Sequence, residues 1–183
     1  MESPNPPAPA ADGPPARPPT FSGFALRLLA YLFAVSLLFS LGQLHLRMAP
    51  VQQLMASTVA AGANRFGADA TLDGTIIRMD HVALDINHEC TGIFVLLVYA
   101  MFVLAYPAPW RQRVYGVGLG AVVLTAINIA RLMLLTVIAR RQPELFAYFH
   151  EYFFQGLFIA LLALMAALWT EQVRRATFGR VPA

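Results

Sequence analysis

The chain has 183 residues, of which 58% are hydrophobic and 13% charged, with a mean hydropathy of +0.59. That leaves too little polar surface to cover a soluble globule, and the composition places the chain in lipid. The formal charge of +3 comes from arginines dispersed beside apolar stretches, which argues for membrane orientation and against a nucleic-acid partner, and a single cysteine excludes an intramolecular disulfide.

Residues 1–20, MESPNPPAPAADGPPARPPT, are rich in proline and alanine, lack apolar periodicity, and read as a disordered cytoplasmic tail. The run from Phe24 to about Gly42 is nearly all apolar and about as long as the ~20 residues a bilayer core requires. It is longer than the ~7 to 15 residue core of a signal peptide and no clear small-x-small site follows, so it reads as a retained first span. Val51 to Ala61 is expected to form a short helix on the membrane surface. From Asn64 onward, glycines, aspartates and β-branched residues alternate with polar ones. Asp73-Gly74, between two candidate strands, reads as the turn of a small β-hairpin outside the bilayer. Three further apolar runs follow, at about 91–106, 114–139 and 149–169, joined by PAPWRQR and by a short link from Arg140 to Tyr148. The expected fold is therefore an all-α integral membrane protein. It is a bundle of about four transmembrane helices over residues 21–171, with the hairpin in an extracytoplasmic segment at 43–90 and a basic cytoplasmic tail at 172–183.

Arg17 and Arg27, Arg111 and Arg113, and Arg174, Arg175 and Arg180 fall on one side of a four-span topology, and the positive-inside rule makes that side cytoplasmic. Arg47, Arg65, Arg78, Arg140 and Arg141 lie on the other side, accompanied by Asp69, Asp73, Asp80, Asp85, Glu89 and Glu144. Acidic residues count little in the rule, so Arg140 and Arg141 oppose this orientation.

Polar residues inside apolar runs are costly and need a reason. Arg131 carries a cost of at least ~2.5 kcal/mol unless it snorkels or faces a polar partner, and Asn128 lies three residues earlier on the same helical face. Eight residues before Ala139, Arg131 is about 12 Å below the outer end of its helix, within reach of the interface. Cys90, in INHECTGI, opens the second apolar run, and His150, in YFHEYFFQG, opens the fourth. Cysteine, arginine and histidine from three helices thus converge at the level of the outer leaflet. A helix N-terminus and a cation favour a thiolate, and histidine exchanges protons near neutral pH, so His150 is a candidate to protonate a departing amine. The bland alternatives are a cysteine that only fills space, an interfacial histidine and an arginine that only holds helices together. Glu89 would oppose a thiolate and is expected to point away or be paired. His45, His81 and His88 repeat no metal or haem spacing, and neither a metal nor a cofactor is expected. Gly92 and Gly156 read as packing positions.

The ordered set Cys90-Thr91-Gly92-Ile93, Asn128-x-x-Arg131 and then His150 resembles the exosortase and archaeosortase family over roughly Gly74 to Trp169. The chain has fewer spans than the longer exosortases and is most similar to the short bacterial subfamily called exosortase H. The resemblance implies a membrane-embedded cysteine protease or transpeptidase of the bacterial inner membrane, multi-pass, with its active site facing the periplasm. Its substrates would be exported proteins carrying a C-terminal motif, a transmembrane helix and a basic tail. Cys90 would attack the scissile carbonyl to form a thioester, Arg131 would favour the thiolate or the oxyanion, His150 would move protons, and Asn128 would orient Arg131. The acceptor is left open, with a lipid as one candidate. Two other classes stand beside this reading: a non-catalytic membrane scaffold or assembly factor, and a small transporter or redox subunit. The last would need polar groups at all depths of the bilayer, which the sequence lacks.

Overall fold

The computed structural model describes residues 21–40, 48–80 and 82–178. The N-terminal tail at 1–20, the end of the first predicted span, Arg47, Arg180, His45 and His81 lie outside the described residues. The chain is mostly helical: α1 (Phe21–Ser40), α2 (Ala49–Arg65), a three-stranded sheet, α3 (Ile93–Ala105), α4 (Trp110–Arg141), a short turn α5 (Phe146–Tyr148) and α6 (Phe154–Phe178). Trp110–Arg141 and Pro143–Ala176 are long and apolar enough to cross a membrane, while Ser22–Leu38 and Ile93–Ala105 are apolar but shorter.

Several boundaries differ from the sequence reading, each for a local reason. α4 starts at Trp110, because Pro109 can precede a helix without costing it a hydrogen bond, and it runs on through Arg141. α6 continues past the predicted end at 169. Arg174 and Arg175 both bind Glu171, at 2.6 and 2.7 Å, in the i,i+3 and i,i+4 pairs that support a helix, so the basic tail begins as helix. α3 is the shortest of the four apolar helices. Its 13 residues rise about 20 Å, short of a ~30 Å hydrocarbon core.

The segment between α1 and α3 is more ordered than a single hairpin. β1 (Thr71–Asp73) pairs antiparallel with β2 (Ile76–Met79) through the turn at Gly74, whose φ is +64°, and β3 (Val82–Asp85) adds a third strand in the order β1-β2-β3. Ile77 and Met79 are buried while Arg78 between them is exposed, the alternation of a sheet covered on one face. The cover is α2, longer than expected, whose Met55, Ala56, Val59, Ala60 and Ala63 are buried. Asn64 fixes the approach to the sheet by accepting from the Ala70 N–H and donating to the Ala70 carbonyl at 2.9 Å. Arg140 donates twice to Asp80, at 2.9 and 3.2 Å, tying the end of α4 to the turn before β3.

Two cores divide the molecule. One joins α2, the sheet, Cys90, Leu132, Leu135 and Phe154; the other joins Tyr99, Val103, Ala108, Leu124, Trp169 and Val173. In the second, helices approach over glycine: a Cβ on Gly120 would collide with the Tyr99 ring of α3, and one on Gly116 with the Trp169 indole of α6. The Phe24 ring of α1 meets Phe102 and Tyr106 edge-on at the end of α3, and Ser36 near the other end of α1 lines a cleft with Phe94 at the start of α3, so the two helices run antiparallel.

Candidate active site

Cys90 does not sit on the first turn of α3. It lies in a separate 3₁₀ turn, His88–Thr91, capped by Asn87, whose side-chain oxygen accepts from the N–H groups of Glu89 at 3.0 Å and Cys90 at 3.1 Å. Asparagine three residues before the cysteine is a cap signal that the sequence carried and that went unread. The turn ends at Gly92, whose φ of +71° is left-handed, and only then does α3 begin. The thiol therefore stands on its own turn ahead of α3, and not at the start of the helix as expected. Gly92 is more than a packing residue: besides its φ, a Cβ there would lie 2.9 Å from Cγ of Asn128.

Asn128, 1% exposed on α4, donates from Nδ2 to the Cys90 carbonyl at 2.9 Å. The expected bond to Arg131 is not formed. Arg131 instead lays its guanidinium over the Phe158 ring of α6, 5.2 Å from Cζ to the centroid, and its Nε has no hydrogen-bond partner among the described residues. A cation–π contact holds the side chain in place without neutralising its charge, as a carboxylate would.

His150 arrives from the irregular segment before α6. After Pro143–Leu145 and α5, Phe149–Phe153 forms a π-helical turn, a local widening often found at functional sites. The imidazole stacks on Phe146, ring centroids 5.5 Å apart and planes within 16°, and its Nε2 lies 3.9 Å from the Cys90 sulfur. That contact joins residues 60 apart in sequence.

A cleft of about 560 Å³ opens beside this pair, lined among others by Ser36 of α1, Phe94 of α3, Arg131 of α4, His150, Gln155 of α6 and Glu89. Glu89 thus faces the cleft, with no salt bridge among the described residues, rather than pointing away. Cys90 is 4% exposed, set back behind the residues that line the opening. Burial pushes its thiol above the ordinary value, Arg131 and a backbone hydrogen bond from Asn87 pull it down, and Glu89 and Asp85 push it up. The balance is upward, so the resting sulfur is a thiol that needs a base. Among the described residues no group of three or more His, Cys, Asp or Glu side chains could hold a metal ion.

Neither a curated protein nor a solved structure matches the chain. The family model described as Transmembrane exosortase (Exosortase_EpsH) matches residues 18–169, a stretch that includes α1 to α4, Cys90, Asn128, Arg131 and His150. With most of its length matched, the chain belongs to the transmembrane exosortase family.

Proposed function

We propose that this membrane protein is a cysteine transpeptidase that cuts the C-terminal sorting signal of exported proteins and passes the new C-terminus to an acceptor. The observation that carries the reading is the 3.9 Å approach of Cys90 Sγ to His150 Nε2, beside a cleft lined by Arg131, whose Nε has no hydrogen-bond partner among the described residues. A sulfur-to-nitrogen distance of this size is that of a loose hydrogen bond, and such bonds tighten when substrate binds.

The chemistry follows from the three side chains. His150 takes the thiol proton as the sulfur attacks the scissile carbonyl, and the new C–S bond places negative charge on the carbonyl oxygen, facing the guanidinium of Arg131. The imidazolium gives its proton to the departing amine as the C–N bond breaks, leaving a thioester on Cys90. The acceptor then attacks the thioester, His150 takes the acceptor's proton, and the thiol is released. A thiol held above its ordinary value favours a role for His150 as base in the first step as well as in the second.

We place this chemistry at the periplasmic face of the bacterial inner membrane, with α1, α3, α4 and α6 as four spans. Exposed Trp110 and Tyr115 near the start of α4, and exposed Tyr148 and Tyr152 before α6, suit the two aromatic belts of a bilayer. From residue 110 to residue 128 a helix rises about 27 Å, close to a ~30 Å hydrocarbon core, which sets Asn128 and the site near the outer boundary. The test is a deletion strain complemented with wild type, Cys90→Ala, Arg131→Ala or His150→Ala, with envelope proteins compared by intact mass and C-terminal mapping. Exported proteins are expected to keep their C-terminal helix in the deletion and in each variant at normal abundance. Normal processing by the Cys90→Ala strain would replace the transpeptidase with a scaffold.

A further inference from the structure

A separate cavity of about 190 Å³ borders the Cys90 turn at Thr91 and Gly92 and shares no lining residue with the catalytic cleft. Its walls include Val51 of α2, Leu96 of α3, Thr91, Gly92 and, on α4, Thr125 and Asn128. Most of this wall is apolar, yet two polar groups in it lack partners. Asn128 spends its Nδ2 on the Cys90 carbonyl, and its Oδ1, buried with the rest of the side chain, has no partner among the described residues. Thr125 stands three residues earlier on the same face of α4. The hydroxyls of Thr136 and Thr170 return to the carbonyl four residues back, at 2.9 and 2.7 Å, and Thr91 donates to the His88 carbonyl at 2.7 Å. Thr125 makes no corresponding bond among the described residues.

A buried amide oxygen left unpaired is costly, and native proteins almost always satisfy such groups, with ordered water if nothing else. One water takes up about 30 Å³ of liquid volume, so the cavity has room for one and its neighbours. We propose that this cavity is a built water site: a water donates one O–H to Asn128 Oδ1 and accepts from, or donates to, the Thr125 hydroxyl. Held in this way, the Asn128 amide cannot rotate, and its Nδ2 stays on the Cys90 carbonyl. Thr125 and the water are thus positioning elements. They touch no reacting atom and act on the thiol through the backbone of the 3₁₀ turn. This inference does not require the transpeptidase reading, because it is tested on the thiol itself.

The experiment uses the full chain in lipid nanodiscs. A map at a resolution that shows solvent is expected to have density within hydrogen-bond distance of both Asn128 Oδ1 and Thr125 Oγ. An empty cavity, or one filled by an acyl chain, overturns the proposal. The second measurement is the rate of Cys90 alkylation by iodoacetamide as a function of pH for wild type, Thr125→Val and Thr125→Ser. Valine keeps the shape and removes the hydroxyl. It is expected to change the limiting alkylation rate about fivefold, the scale of one lost hydrogen bond, while serine restores the wild-type profile. A valine variant with the wild-type profile, or a serine variant that behaves like valine, counts against the water bridge.

Discussion

At Cys90 the competing influences on one sulfur can be ranked. Burial raises the thiol, the Arg131 cation and the Asn87 contact partly offset it, and the Glu89 and Asp85 carboxylates add to the rise. The thiolate is the form present above the pKa, so alkylation of Cys90 should increase with pH through a midpoint above the ordinary ~8.5. Arg131→Gln removes the principal opposing charge and is expected to move the midpoint further up; Glu89→Gln is expected to move it down. A wild-type midpoint below neutral pH would mean a preformed thiolate and would leave His150 without its first role. The sequence disclosed the residue types here but not their bonding. Cys90, Arg131 and His150 stood out because polar groups are rare within the apolar runs. The partner of Asn128 did not, because spacing along α4 suggests Arg131 while the true partner is a carbonyl 38 residues away. Gly92 shows the same limit: a glycine in a membrane helix is ordinary, and only the fold reveals that both its φ and its contact with Asn128 exclude a side chain.

Among the elements, the helices were legible as apolar runs, and the irregular pieces between them were not. A four-residue strand such as Val82–Asp85 has too few positions to display alternation, so β3 emerges only from its pairing with β2. The π-helical turn at Phe149–Phe153 left no trace in an aromatic sequence that suits an α-helix equally well. α2 is longer than its sequence suggests because alanine-rich segments carry a weak apolar face, and its burial comes from α4 and the sheet. Glycines on α4 separate packing from mere occurrence. A Cβ at Gly120 already collides with the Tyr99 ring, so Gly120→Val is crowded, whereas a Cβ at Gly118 meets nothing within 4 Å and Gly118→Val has an open start. The first substitution is expected to cost about 1–3 kcal/mol and the second within ~0.5 kcal/mol. Thermal midpoints in detergent distinguish them, and equal shifts for the two variants would show that the α3–α4 contact does not depend on Gly120.

For the whole molecule, the orientation rests on charge, and Arg140 and Arg141 opposed it in the sequence. The fold assigns one of them a separate task, since Arg140 binds Asp80 and secures the sheet to α4. Such an exposed pair is worth at most about 1 kcal/mol, but it explains why an arginine stands at that end without a cytoplasmic role. In a Cys90→Ala background, a membrane-impermeant maleimide added to spheroplasts should label Glu144→Cys and not Arg111→Cys. The opposite pattern would turn the site toward the cytoplasm and end the exported-protein reading. α3 has a wider consequence in the four-span arrangement. A helix that rises about 20 Å in a ~30 Å core leaves about 10 Å that lipid cannot span comfortably, so the bilayer beside it must thin or dimple. In that arrangement the thinned lipid lies beside the cleft that Phe94, Arg131 and His150 line, so the membrane itself would form one wall of the proposed site.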